Sequence, residues 1–137
     1  AARTAFEHTL TLESRHVEAT YHLGLIAREQ GRTAEAVGRM ERAVALAPDH
    51  VAAQTELGAL HLAAGRHELA RTHLERAVSL DPDAPTPYYQ LGLLFTRTGE
   101  LDRARESMQA FQRARDKALA RADGRVVKER HHKGDER

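Results

Sequence analysis

"GRTAEAVGRMERAVALAPDHV" occupies Gly31–Val51, and "GRHELARTHLERAVSLDPDAP" occupies Gly65–Pro85. Laid over one another at a shift of 34 residues, they agree at ten of the nineteen positions from 31 to 49. The agreements are Gly31/Gly65, Arg32/Arg66, Ala36/Ala70, Glu41-Arg42-Ala43-Val44 with Glu75-Arg76-Ala77-Val78, Leu46/Leu80 and Pro48-Asp49 with Pro82-Asp83. Upstream, Val17, Ala19, Leu23 and Gly24 match Val51, Ala53, Leu57 and Gly58. A third copy continues through Leu91-Gly92, Gly99, Ala104 and Met108. A period of this length takes precedence over other patterns, because repeated sequence means a repeated structural unit.

Each period reads as two helices. Leu57, Leu60 and Ala64 recur at helical spacing, and Gly65 offers the left-handed conformation that closes a helix. A second helix follows from about Glu68 to Leu80, with Ala70, Leu74, Ala77 and Val78 on its apolar side. Asp81-Pro82 stops it, since the residue before proline is driven out of helical geometry and proline has no N–H to donate. Gly24, Gly58 and Gly92 fall inside helices, where glycine costs about 1 kcal/mol relative to alanine. That cost implies a close neighbour. Leu23, Leu57 and Leu91 are expected to fill the space between helices, together with Met40, Leu74 and Met108. A two-helix unit cannot bury both faces alone, so each copy becomes the next one's core.

The pattern L-G, then G, then A-x-x-x-(large apolar)-x-x-A, then P, on a 34-residue period, resembles the tetratricopeptide repeat. The resemblance implies an all-α superhelical solenoid of about three and a half helix-turn-helix repeats with an extended C-terminal helix. Full repeats are expected at 17–50 and 51–84, and an altered one at 85–123. Ala2, Phe6 and Leu12 stand 34 residues before Ala36, Met40 and Leu46. Residues 1–14 are therefore expected to be the second helix of a truncated upstream repeat. Phe6 and Leu10 would then lose part of their cover and could drive self-association. The usual aromatic near each repeat start is absent at Thr20 and Gln54 but present at Tyr88, and His61 replaces a large apolar residue. With no proline near Asp116, the last helix is expected to run to about Ala122, with Gly124 closing it and 124–137 left as a charged, disordered tail.

Composition narrows the chemistry. Aromatics make up 4% of the 137 residues, so the core must be built from Leu, Ala and Val. There is no cysteine, which removes thiol and disulfide chemistry and leaves the compartment open. No apolar run approaches the roughly 18 residues of a membrane span. The net charge is +1, and residues 112–137 carry nine Lys/Arg against five Asp/Glu. Arg121, Arg125, Lys128 and Arg130 are interrupted by acids, so nucleic-acid binding is not expected. His16/His22 and His67/His73 are six apart, which points them to different sides of a helix, so no metal site is expected. No nucleophile–base set or phosphate loop occurs. The sequence predicts no catalytic residue, no cofactor and no enzyme activity.

The resemblance implies that the first helix of each pair lines a concave groove. By position that groove would hold Tyr21, Leu25 and Arg28, then Thr55, Ala59 and Leu62, then Tyr89, Leu93 and Arg97. An apolar groove with tyrosines suits a helix or extended segment of a protein partner. Relatives that grip a C-terminal carboxylate use Lys and Asn there. Tyr21, Leu25, Glu56, Thr86 and Gln90 occupy the corresponding places and supply no cationic clamp. The expected function is a protein-interaction scaffold. The alternative is a substrate-presenting repeat region of a larger enzyme.

Overall fold

A computed structural model describes the backbone of residues 2–135 and the side chains of residues 12–124. Among the described residues the chain is six helices without strands: α1 (Ala2–Glu29), α2 (Thr33–Leu46), α3 (Val51–Ala63), α4 (His67–Leu80), α5 (Pro85–Thr98) and α6 (Leu101–Asp135). Packing is strongest within the hairpins α1/α2, α3/α4 and α5/α6, and each hairpin stacks on the next through α2/α3 and α4/α5. The result is the sequential α-solenoid that the repeat requires.

Each hairpin turns in the same way. Gly31, Gly65 and Gly99 adopt φ of 74°, 78° and 79°, a region closed to most side chains. The next amide reaches back across the turn: Arg32 N–H to Ala27 O, Arg66 N–H to His61 O and Glu100 N–H to Phe95 O, at 2.9, 2.9 and 2.8 Å. This six-to-one bond satisfies a carbonyl that the helix end would otherwise leave unpaired. Between hairpins, α2 and α4 stop two residues before Pro48 and Pro82, in agreement with the sequence.

The internal glycines mark where two helices touch. A Cβ built on Gly58 would lie 2.6 Å from Leu74 Cγ, and one on Gly92 would lie 2.5 Å from Met108 Sδ. Gly24 stands in the same relation to Met40 Cε, at 2.8 Å. Around these contacts form two apolar clusters. One joins Ala27, Ala36 and Met40 to Leu57 and Leu60. The other joins Leu62, Ala70 and Leu74 to Leu91, Leu94, Phe95 and Ala104. Both clusters draw on two hairpins, so no hairpin builds either core alone.

The missing repeat aromatic has a substitute. Tyr88 Oη donates to Pro82 O at 2.8 Å, tying α5 to the turn before it. One repeat earlier, Gln54 Nε2 donates to Pro48 O at 2.9 Å, and its Oε1 meets His73 Nδ1 at 2.8 Å. A long hydrogen-bond donor at this position holds the turn, whether or not it carries a ring.

Three expectations are corrected. First, of the expected helix at 1–14, the described residues 2–14 are not a helix of their own. α1 is one unbroken helix from Ala2 to Glu29, because Ser14 occupies the register position of Pro48 and Pro82 and nothing stops the helix there. Secondly, Leu23 does not fill a core. It is 45% exposed, whereas Leu57 and Leu91 are 1% and 6% exposed, since among the described residues no helix covers that side of α1. Thirdly, α6 passes through Gly124 and continues to Asp135, so Gly124 is no cap and most of the expected tail is helical. One glycine costs about 1 kcal/mol, too little to break a run of Arg, Ala, Lys and Glu that favour helix. The side chains of Phe6, Leu10, Arg125, Lys128 and Arg130 lie outside the described residues. Arg121 is described, and it pairs with Asp83 at 3.2 Å rather than standing free.

Candidate partner-binding groove

The first helices of the hairpins, α1, α3 and α5, meet along a cleft of about 310 Å³. Tyr21, Val51, Ala52, Thr55, Glu56, Ala84, Thr86 and Pro87 line it. Small residues at 51, 52 and 84 leave the space, and tyrosine and proline supply its larger walls. Tyr21 is half-buried and held in place. Its ring lies 5.2 Å from His22 in an edge contact and 5.0 Å from His50. Burial, and then the Glu56 carboxylate, raise the Tyr21 phenol above its ordinary value, against a lowering by Arg28. The phenol therefore stays neutral and keeps an O–H to donate.

The charges around the cleft are already engaged with one another. Arg28 reaches across from α1 to Glu56 on α3 in an ion pair. His50 Nε2 lies 2.7 Å from Glu18 Oε1, and His50 Nδ1 accepts from the Ala53 amide at 3.0 Å. His50 thus caps α3 and links it to α1. This places a carboxylate, Glu56, inside the lining and pairs the nearest guanidinium with it.

The nine residues expected in the groove divide. Tyr21 and Thr55 line the cleft, although Thr55 is only 7% exposed and its hydroxyl donates to Val51 O at 2.8 Å. Tyr89 is 39% exposed, with its ring 5.5 Å from Phe111 of α6. Ala59 is half-buried on α3. Leu25 and Leu93 are half-buried and packed on the two core clusters. Leu62 belongs to the core itself at 2% exposure, so it has no place in the groove: it packs in the cluster with α4 and α5 residues. Arg28 and Arg97, placed in the groove by register, are both engaged within the fold. Arg28 pairs with Glu56, and Arg97 Nη1 donates to Leu62 O at 3.0 Å, tying α5 to the end of α3. Sequence reasoning missed Glu18, His50 and Pro87 as cleft and rim residues. Their signal was the 34-residue register, which sets Glu18 at the place of Ala52, one residue into α3, and puts His50 and Pro87 at the starts of α3 and α5.

A second histidine site lies behind the groove. The His61 and His73 rings stack at 5.7 Å, with an angle of 18° between planes. His61 is 4% exposed, and its Nδ1 accepts from Arg66 Nε at 2.9 Å. Burial, with Arg66 and His73 adding to it, lowers the His61 pKa, and burial lowers that of His73. Both rings are held neutral. Among the described residues, no three His, Asp or Glu side chains gather as a metal would need, and no helix is long and apolar enough to cross a membrane.

Comparison with known proteins fits this geometry. The tetratricopeptide-repeat family model matches residues 1–50, 27–85 and 55–118. Among solved structures, MamA is similar over 76% of this chain at 25% identity with a TM-score of 0.71. An O-GlcNAc transferase mutant of Thermobaculum terrenum is similar over 76% of this chain at 29% identity with a TM-score of 0.73. The Yersinia enterocolitica type III secretion translocator chaperone SycD shares the fold over 82% of this chain and 86% of its own, at 20% identity and a TM-score of 0.70. The chain spans about 61% of the MamA structure and 20% of the transferase. No curated protein sequence matches it. With three overlapping repeat matches laid along stacked hairpins that turn on Gly31, Gly65 and Gly99, this chain belongs to the tetratricopeptide-repeat family.

Proposed function

We infer that this chain is a non-catalytic protein-interaction module, and that it seats a helix or extended segment of a protein partner in the cleft between α1, α3 and α5. The observation that carries this reading is the cleft itself. It is walled by Tyr21, Val51, Ala52 and Pro87, and it carries one carboxylate, Glu56, already neutralised by Arg28. Such a surface rewards an apolar side chain flanked by groups that hydrogen-bond to a phenol, and it penalises a partner carboxylate brought against Glu56. Tyr21 is the anchor, because it combines a fixed apolar ring with a polar tip at low entropic cost. Partners retained by wild type should be lost by Tyr21→Ala/Tyr89→Ala, with circular dichroism confirming that the variant is folded. Return of the same partners with both proteins would overturn the assignment.

A second reading is favoured by one observation. The similarity to the transferase covers 20% of that protein, so a repeat region of this kind also occurs within a much longer enzyme. In that setting the same cleft would present a protein substrate to chemistry located elsewhere in the chain.

A further inference from the structure

α6 reaches further than its counterparts. α2 and α4 end at Leu46 and Leu80, and the same register position in α6 is Ala114. Asp116 stands where Pro48 and Pro82 bound the earlier helices, so α6 runs on past the end of its own hairpin. It lies antiparallel to α5, and its added turns therefore pass beside the α4/α5 turn, residues 81–84. Arg113, Lys117 and Arg121 stand on this stretch at i, i+4 and i+8. That spacing sets three cations on one face of the helix over about 12 Å.

The face looks into a concavity. Arg113 and Lys117, with Ala110, Ala114, Pro82 and Tyr88, line a cleft of about 280 Å³ between α6 and the turn. The two alanines leave the room, and the Tyr88 ring is fixed because its Oη donates to Pro82 O at 2.8 Å. One carboxylate is already bound there. Lys117 Nζ donates to Asp83 Oδ1 at 3.1 Å and Oδ2 at 3.2 Å, and Arg121 Nη2 donates to Oδ2 at 3.2 Å. Arg113 has no carboxylate partner among the described residues. Three cations against one carboxylate leave an excess of two positive charges. Counting Asp81, whose Oδ1 accepts from the Asp83 amide at 3.1 Å, still leaves one. Asp116 is paired with Arg115.

We propose that this cleft is a second docking site, and that it takes an acidic segment of a protein partner. A partner carboxylate sits on Arg113 and Lys117, and a neighbouring apolar side chain lies against Tyr88 and Pro82. Arg113 offers a planar fork that meets a carboxylate with two bonds. Asp83 is the internal stand-in for this ligand and competes with it for Lys117. The chemistry favours an acidic peptide over a nucleic acid. A phosphate backbone rewards a continuous track of cations, whereas Asp81, Asp83, Asp116 and Asp123 interrupt this one. The cleft shares no lining residue with the groove between α1, α3 and α5, so its failure would leave that reading intact.

The probe is a fluorescein-labelled peptide with two glutamates on each side of a leucine, followed by fluorescence anisotropy at about 0.05 M salt, where charges are weakly screened. The unaltered chain should bind it with a dissociation constant below about 1 mM, and a peptide with glutamines in place of the glutamates should not bind. Arg113→Gln/Lys117→Gln should weaken binding about tenfold, since two exposed charge pairs are lost. Asp83→Asn should strengthen it about threefold, because the internal competitor loses its charge. Arg15→Gln/Arg42→Gln removes the same charge from exposed positions on the first hairpin and should change binding by less than about twofold. Tyr21→Ala, in the groove, should leave it unchanged. None of the charged side chains replaced here is buried, so circular dichroism should match the unaltered chain throughout. No binding by the unaltered chain, an equal loss in Arg15→Gln/Arg42→Gln, no gain in Asp83→Asn, or displacement of the peptide by a single-stranded oligonucleotide of the same length would each overturn the proposal.

Discussion

The contact at Gly58 makes a quantitative prediction, because the same substitution elsewhere should act with the opposite sign. In Gly58→Ala the new methyl would sit 2.6 Å from Leu74 Cγ, 2.8 Å from Leu74 Cδ2 and 3.3 Å from Ala70 O. Leu74 is 0% exposed and has nowhere to retreat. Overpacking of this kind costs about 1–3 kcal/mol. Replacing a mid-helix glycine by alanine returns about 1 kcal/mol through helix propensity. The net expectation is a loss of about 1 kcal/mol. Gly38 lies inside α2 with nothing within 4 Å of a built Cβ, so Gly38→Ala receives only the propensity term and should gain up to about 1 kcal/mol. The difference between the two variants isolates the packing cost. Equilibrium urea unfolding at constant m-value measures it. Combining Gly58→Ala with Leu74→Ala should turn the alanine from harmful to helpful at that site. If Gly58→Ala stabilises the otherwise unaltered chain as much as Gly38→Ala does, the close-contact reasoning is wrong.

Other perturbations have equally definite outcomes. The His61 and His73 pKa values are lowered by folding, so the unfolded chain binds more protons than the folded one as pH falls below the ordinary histidine range of about 6.5. Stability should be full above that range and should decline below it, and the urea midpoint of His61→Phe should fall less steeply between about pH 7.5 and 5.5. Gln54→Leu keeps the bulk but leaves Pro48 O and His73 Nδ1 without their partner. It should cost about 1–3 kcal/mol, read from the same urea curves, whereas Gln54→Tyr should recover the bond to Pro48 as Tyr88 makes it to Pro82. Gly65→Ala forces a side chain into φ of 78° and should destabilise the α3/α4 turn by about 1–2 kcal/mol in thermal unfolding.

The helix boundaries were legible wherever a residue restricts the backbone. Gly31, Gly65 and Gly99 end one helix of each hairpin and Pro48 and Pro82 bound the other, each for a local reason that needs no tertiary knowledge. The ends of the chain were misread because the period was carried past the residues that enforce it. Ser14 has neither proline's missing N–H nor glycine's freedom, and Gly124 alone is too weak a stop. The groove was legible in part. Tyr21 could be placed on the first-helix surface from its register, but Leu62 could not be told from a groove residue. Which side of α3 turns inward depends on how far successive hairpins rotate. The Arg28–Glu56 pair and the His61–His73 stack join residues from different helices, and no spacing rule along one helix reports such partners.

The order in which the helices touch governs how the protein comes apart. α1 meets α2, α2 meets α3, and so on down the chain, with α3/α5 as the one substantial contact that skips a neighbour among the described residues. Such wiring stores cooperativity only at the junctions. Loss of the α2/α3 seam would release the first hairpin and still leave four helices with an intact cluster around Leu74 and Leu94. Amide exchange should therefore descend in steps from the middle outward, slowest in α3 and α4, and a protease should trim this protein from its extremities before cutting its centre.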